Sequence, residues 1–350
     1  MEAQVTHAGP AGTLVSVVIP AFNGERFIGP TIESALAQTY SSVEIIVVDD
    51  GSTDATQEAV RRFGDRVRYL RQSNQGGAAA RNQGISAARG DWVAFLDQDD
   101  LWLPQKLERQ AAVFLAEPST VVCFTRWSHI DDQGNPMMHG STAERDGLLD
   151  SVSRQARPLA CGAVLLPEQP FTVALVKRCL VNSCSGVVAR KSVLAEVGGF
   201  DAGLRGPDDW DLWMRLAVRH PFAYIPEALY QYRHHARQHT QRGGTQMLSG
   251  LLTVMERWLQ SPEICGRAGR RTILASMARL HDNCATARVS QGEMREARAH
   301  YIAALRARPK PATLALWSAT FCPPIAARLV SWRTKRWDRG GPADERDPAE

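Results

Sequence analysis

The chain has 350 residues, 44% of them hydrophobic and 22% charged, with a formal net charge of +4. That composition suits a soluble protein with a sizeable core, built as one large domain or two modest ones. The charge is too small to imply nucleic acid, so no nucleic-acid partner is expected. The seven cysteines show no CxxC pair and no zinc-like spacing. Such a set reads as reduced thiols in a cytoplasmic protein. "MEAQVTHAGPAG" shows no basic start followed by an apolar stretch, and no run of about 18 apolar residues occurs. Residues 1–13 read as a flexible N-terminus.

The first strand is "VSVVI", β-branched and apolar until Pro20, in the style of a buried parallel strand. A helix follows from about Phe27 to Gln38. "EIIVVDDGS" is the second strand, ending in Asp49, Asp50 and Gly51. The next helix starts near Thr53, with Ser52 or Thr53 as its cap and Asp54 in its first turn. "VRYLRQ" is a third strand, and "GGAAARNQGISAAR" is a helix entered through glycines. "DWVAFLDQDD" is a fourth strand, and a helix runs from about Pro104 to Ala116. Alternation of this kind predicts an α/β fold: a mixed, mostly parallel, Rossmann-like sheet with helices on both faces. Chemistry in such sheets gathers at the carboxyl ends of strands. Asn23, Asp49, Asp50, Asp97 and Asp99 all stand there.

"VVCFTRWSHI" and "SGVVAR" read as further strands, with loops and short helices between about 136 and 180. From about 245 to 335 the pattern is helical, an appendage packed on the domain. "GEMREARAHYIAALRARPKP" in it resembles half of a tetratricopeptide-type hairpin, too little for a solenoid. The domain reading is 14–240, with halves 14–120 and 121–240, then helices over 241–335 and a disordered tail over 336–350.

Three acidic constellations carry the chemistry. "FLDQDD" ends a strand in Asp97, Asp99 and Asp100; these carboxylates either cap the next helix or bind a divalent cation. "VVDDGSTD" makes a turn at Gly51, which leaves Asp50 to accept hydrogen bonds from a base or a ribose. No GxGxxG follows the first strand, and "PAFNGERF" stands in its place, which argues against a dehydrogenase. "GPDDWDLWMRL" is a helix start with Asp208, Asp209 and Asp211 in its first turn and an apolar stripe of Leu212, Trp213, Leu216 and Ala217. Asp209 there is a helix cap or a general base, readily ionised at neutral pH. Trp102, Trp210 and Trp213 are candidates to stack on sugar rings, with core packing favoured for Trp213.

These stretches stand in a familiar order. "VSVVIPAFNGERFI", "VEIIVVDDGSTDAT", "NQGGAAARNQG", "FLDQDDLW" and "GGFDAGLRGPDDWDLWMRL" resemble the motifs of family 2 inverting glycosyltransferases, over roughly residues 14 to 240. The resemblance implies a GT-A fold. It implies that Asp50 contacts the nucleobase and that Pro20, Ala21 and Asn23 line the nucleotide pocket. Asn74, Gly76, Arg81 and Asn82 match the loop and helix beside the donor. Asp97 matches the residue at the ribose or sugar, and Asp99 the metal ligand. Asp100 is given no role by the resemblance, and the helix cap stays open for it.

Asp209 matches the catalytic base, and Asp208 stands where glutamate is usual. Asp208 and Trp210 are the candidate acceptor contacts. "YQYRHHARQHT" resembles the family's Tyr-Arg-X-His: Arg233 would meet the diphosphate and His235 the metal, with His234 and His239 as competitors. The plain alternative for this stretch is a basic surface loop.

The implied activity is metal-dependent inverting transfer, with Mn²⁺ or Mg²⁺, from a nucleotide-diphosphate sugar, most often a uridine one. The acceptor is a hydroxyl on a saccharide, a lipid-linked glycan or another glycoconjugate. An inactive nucleotide-sugar-binding scaffold and a nucleotidyltransferase are the alternatives. "SWRTKRWDRG" mixes tryptophan with basic residues after a partly apolar helix. That suits peripheral contact of the C-terminal helices with the inner face of the plasma membrane, or else a solvated helix end.

Overall fold

The computed structural model describes residues 13–137, 143–204, 206–236, 238 and 244–338. The chain divides into two compact units, residues 1–250 with 262–268, and residues 251–261 with 269–350.

The first unit is built on one mixed sheet. Its long strands are β1 (Val15–Ala21), β2 (Val43–Asp49), β3 (Arg68–Arg71), β4 (Trp92–Phe95), β6 (Val122–Ile130), β10 (Val188–Arg190) and β11 (Phe222–Arg233). Short strands β5 (Leu101–Trp102), β7 (Pro136–Met137), β8 (Arg157–Pro158) and β9 (Val164–Leu165) complete it, in the order β3-β2-β1-β4-β10-β6-β11-β9-β8. β1 runs parallel to β2 and β4, β2 to β3, and β6 to β11. β10 is antiparallel to both β4 and β6, so those two run the same way and β10 alone among the long strands is reversed. The carboxyl ends of β1, β2, β4, β6 and β11 therefore reach one edge, and β10 brings its amino end there.

The strand sequences explain the layering. Residues of β1, β2 and β4 are apolar at nearly every position and buried on both sides. On one face, Val17, Ile19, Val47 and Ala94 pack with Ile28 and Ile32 of α1 (Ile28–Leu36) and Leu107 and Val113 of α4 (Lys106–Ala116). The other face carries α3 (Gly77–Ala87) and α8 (Asp208–Ala217). Phe95 meets Phe200 and Trp213 there. Gly84 is required by this packing: a Cβ at that position would stand 2.2 Å from Val18 Cγ1. The unit also holds α2 (Thr56–Arg61), α5 (Ala143–Ser153), α6 (Glu168–Lys177) and α7 (Lys191–Glu196), together with the helix Pro262–Ala268 and the first residues of the helix Gly244–Gln260.

β1–β4, α1, α3 and α4 lie where the sequence pattern predicts them. α2 starts at Thr56 without Ser52 or Thr53 as its cap; Asp54 accepts from the Thr56 N–H instead. β11 is not predicted by the pattern. Pro226 interrupts its apolar run, and the strand absorbs the break as irregular register between Ile225 and Ala228. The Tyr-Arg stretch is therefore the end of a central strand, not a surface loop.

Beyond α9 (Gly244–Gln260) and α10 (Pro262–Ala268), the second unit contains α11 (Arg270–Ser290), α12 (Met294–Ala307), α13 (Pro311–Ala319) and α14 (Pro323–Asp338). Ala285, Val289, Ala297, Tyr301, Leu316, Ala319, Ala326 and Val330 form its core. The expectation of helices without strands is met through 244–338. Residues 1–12 and 339–350, most of both expected tails, lie outside the described residues.

Candidate active site at the carboxyl edge of the sheet

The loops at this edge are tied to one another by side-chain hydrogen bonds. Asp50 N–H donates to the Ala21 carbonyl at 2.7 Å, so the ends of β1 and β2 are joined. Asn23, left-handed at φ 49, donates its N–H to Ser52 Oγ at 2.9 Å. Its Oδ1 accepts from the Thr53 N–H at 2.8 Å. Asn is among the residues that tolerate this conformation. Gln98, inside the acidic motif, exchanges two hydrogen bonds with the Phe22 backbone, at 2.9 and 3.1 Å.

Asp50 is buried, and both its oxygens are engaged. Oδ1 accepts from Gln72 Nε2 at 2.7 Å and from the Gln75 N–H at 2.8 Å, and Oδ2 from the Gly76 N–H at 2.7 Å. The carboxylate thus closes the 72–76 loop over the end of β2, leaving Asn74 exposed at its tip. Gly76 has φ 94, a conformation glycine adopts freely, and it delivers the chain into α3.

One turn into α3 stands Arg81. Its Nη2 donates to Asp97 Oδ1 at 2.7 Å and its Nη1 to Asp208 Oδ2 at 3.4 Å. The guanidinium also lies 5.4 Å from the Phe200 ring. This is no surface ion pair, since only 15% of the Arg81 side chain is exposed. It is the buried cation that lets the end of β4 and the start of α8 share one place despite their repelling carboxylates. Asn82 anchors the approach to α8: its Nδ2 donates to the Phe200 carbonyl at 2.7 Å and its Oδ1 accepts the Phe200 N–H at 2.9 Å.

Asp208 and Asp209 open α8. Asp209 Oδ1 accepts from the Trp210 N–H at 2.7 Å. Burial first, and then the charge of Asp208, push the Asp209 carboxyl up to about 7, against the pull of Arg81 and the Trp210 N–H. The expectation of ready ionisation at neutral pH is corrected accordingly: Asp209 is poised near pH 7, where a general base works best. Trp210 is half-buried, with Nε1 donating to the Leu175 carbonyl at 2.7 Å. Trp213 is fully buried, in keeping with its place on the stripe. Trp102 is also buried and donates its Nε1 to the Ser185 carbonyl at 2.8 Å, which removes it as a sugar platform.

The acidic motif resolves into three environments. Asp97 is pinned by Arg81 and accepts from Ser183 Oγ at 3.0 Å. Asp100 is buried and does not cap α4, whose N-cap is Gln105. It accepts from Ser185 Oγ at 2.6 Å and from the Arg233 N–H at 3.0 Å, tying β10 and β11 to the end of β4. Burial and the neighbouring Asp99 and Asp97 raise its pKa.

Asp99 Oδ2 lies 2.9 Å from His235 Nε2. Of the competing histidines, His234 bonds His129 instead, Nε2 to Nδ1 at 2.8 Å, and His239 lies outside the described residues. Phe27, the last residue of "PAFNGERF" and not among the expected site residues, packs 4.7 Å from the His235 ring and 5.0 Å from the Arg233 guanidinium. Arg233 Nε donates to the Asp99 carbonyl at 2.8 Å and Nη1 to the Asp131 carbonyl at 3.2 Å.

One carboxylate and one imidazole, both half-exposed or less, fit a hard or borderline divalent cation that keeps further positions for phosphate oxygens and water. Among the described residues no third histidine, cysteine or carboxylate completes a closed cage.

Residues 16–176 match the model of glycosyl transferase family 2. Over that stretch, just under half of its length, the chain is similar to members of that family. It is 32% identical over 232 residues to an uncharacterized glycosyltransferase of Rickettsia conorii, a match covering 65% of this chain and 35% of that protein. The chain thus spans about a third of that relative's length. It is 40% identical over 129 residues, 35% of this chain and 50% of the relative, to a Bacillus subtilis glycosyltransferase ascribed to teichuronic acid biosynthesis.

Among solved structures it resembles S. aureus TarS 1-349 in complex with UDP-GlcNAc, with TM-score 0.61 and 18% identity over 93% of this chain and 92% of that one. A mannosyltransferase from Pyrobaculum calidifontis, in complex with GDP-Man and Mn²⁺, aligns at TM-score 0.56 and 17% identity, over 95% of this chain and 89% of that one. These likenesses establish the fold as GT-A, as expected.

Proposed function

We propose that the chain transfers a sugar, with inversion, from a nucleotide-diphosphate sugar to an acceptor hydroxyl, and that the donor is a uridine one. The observation that carries this reading is the convergence of Asp97, Asp208 and Asp209 on buried Arg81, with Asp99 of the same acidic motif as Asp97 paired to His235. Similarity to the family over residues 16–176 supports it, as do fold relatives in complex with UDP-GlcNAc or with GDP-Man and Mn²⁺.

In this reading the nucleotide lies across Pro20, Ala21, Asn23, Asp50 and the Asn74–Gly76 loop. Asp97, fixed by Arg81 and Ser183, meets the ribose or the sugar. Asp99 and His235 would hold the Mn²⁺ or Mg²⁺, and Arg233 would meet the diphosphate. A divalent cation there would offset the negative charge that grows on the diphosphate as the sugar leaves.

Asp209 accepts the proton of the acceptor hydroxyl while that oxygen attacks the anomeric carbon from the side opposite the diphosphate. One displacement inverts the anomeric configuration, so an α-linked donor gives a β-linked product. Asp208 and Trp210 line the acceptor side. The acceptor is a saccharide or lipid-linked hydroxyl of the kind used in cell-surface polysaccharide assembly. Alignment of two substrates contributes a large share of the rate.

The test is a panel of nucleotide sugars incubated with Mn²⁺ or Mg²⁺, with the released nucleotide identified. UDP release that stops on chelation is the expected result; pyrophosphate release would mark a nucleotidyltransferase instead. Asp209→Asn is expected to lower transfer by about 10²–10⁴-fold with donor binding retained by calorimetry. Turnover near wild type in that variant would remove Asp209 as the base. Tight donor binding with no turnover in the wild-type chain on any acceptor would favour the scaffold reading.

A further inference from the structure

The C-terminal unit buries one side of its last helices and leaves the other side apolar. Leu316, Ala319, Ala326 and Val330 turn inward to its core. A helix face that met only water would be polar. Here Leu314, Phe321 and Ile325 are 50%, 64% and 51% exposed, and Leu329 is exposed as well. Pro323, Pro324 and Ala327 stand exposed between them. Phe321 is held at the surface, edge-on to Trp317 at 5.3 Å and 4.8 Å from the Arg298 guanidinium. Among the described residues, five of the eight exposed large hydrophobics belong to this unit.

The surrounding sequence has a single sign of charge. From Ala297 to Trp337 it carries eight arginines and lysines and no aspartate or glutamate. Apolar side chains set among cations match what an interfacial helix presents to a bilayer: the apolar face enters the acyl boundary and the cations meet lipid phosphates.

We propose that the exposed face of α13 and α14 is a docking surface for a membrane rich in anionic lipid. No described helix is long and apolar enough to cross a bilayer, so the face lies on the membrane and does not span it. A second copy of the chain is disfavoured as the occupant, because a self-complementary contact would set cations against cations. An acidic protein would need shaped pockets for Phe321 and Ile325. A bilayer needs only apolar area and positive charge, and this face offers both. The inference does not rest on the sugar-transfer reading.

The experiment is co-sedimentation of the full chain with phosphatidylcholine vesicles, prepared with and without phosphatidylglycerol. Binding is expected only to the vesicles containing phosphatidylglycerol, and it weakens as salt screens the charges. Phe321→Ser with Ile325→Ser is expected to weaken binding by about tenfold or more, with a thermal melt like that of the wild type. Leu314→Ser, at a separate exposed position, provides the same readout should the double variant melt early. Absence of binding to anionic vesicles overturns the proposal. So does binding that all three substitutions leave unchanged. A wild-type dimer that the double variant converts to monomer would also overturn it, by making the face a protein interface.

Discussion

The two edges of the central sheet treat polar groups in opposite ways. At the amino ends of β1 and β4 lies a cavity of about 620 Å³, lined by Val15, Trp92, Leu107, Phe114 and Val188 among others. That volume would suit a small molecule. Yet three of the polar side chains around it, those of Tyr40, Gln110 and Arg190, are spent on the backbone. Tyr40 Oη donates to the Thr13 carbonyl at 2.7 Å, and Gln110 Nε2 to the Cys123 and Gly186 carbonyls at 2.9 Å each. Arg190 Nη2 donates to the Pro118 carbonyl at 2.8 Å. The carboxyl edge instead collects carboxylates that repel one another, and it assigns a buried arginine, two serines and backbone N–H groups to hold them. Room alone does not locate chemistry. Groups assembled at an electrostatic cost do, because that cost needs a reason.

The sharpest way to break the comparison is to remove the cation. Arg81→Met keeps much of the length of the side chain and leaves Asp97, Asp208 and Asp209 uncompensated. A loss of about 3–5 kcal/mol is expected, read as an early thermal or urea transition, together with loss of donor binding. If Arg81→Met melts like the wild type, the buried ion pairs do not organise this edge.

A smaller effect follows from pH. As the proposed base Asp209 must be ionised to accept a proton, and burial with the charge of Asp208 pushes its pKa up to about 7. Transfer should therefore rise with pH across neutrality, with about a tenth of the groups ionised at pH 6 and about nine-tenths at pH 8. The stability consequence has the opposite sign. Folding lifts this carboxyl above its ordinary range, so the ionised form opposes folding. That cost grows as pH rises from about 4 toward 7 and is fully present above 7. Asp209→Asn should accordingly melt higher than wild type at pH 8, and the gap should close near pH 4. A flat activity profile from pH 6 to 8 would contradict the raised pKa.

These groups were unequally legible in the sequence. β1, β2 and β4 are largely apolar runs that stop at polar residues, so Asn23, Asp50, Asp97 and Asp99 could be placed at strand ends from the residue pattern alone. Asp209 could be placed at a helix start from the apolar stripe behind it. Ser183 and Ser185 could not. They precede their strand, and a search of carboxyl ends passes over them; only the reversal of β10 carries them to the edge. The resemblance to the family marks Arg81, but its partner Asp208 is 127 residues away, and no local pattern signals that pairing. Asp100 looked like its neighbours in an acidic run. Its burial depends on β10 and β11, and β11 itself was hidden by Pro226.

The smallest expected effect tests the quiet edge. Tyr40 lines the cavity, and its hydroxyl does one visible thing: it holds the Thr13 carbonyl at the entry to β1. Tyr40→Phe keeps the ring and deletes that bond. A net intramolecular hydrogen bond of this kind contributes about 1 kcal/mol, so a slightly lower melting temperature is expected, with donor turnover and KM unchanged. The amino edge would then be structural, a place where polar groups serve only the backbone. A change in KM for the donor or the acceptor would reverse that conclusion. Since β1 begins just past Thr13 and runs to Ala21, beside Asn23, such a change would mean that the two edges communicate along the strand.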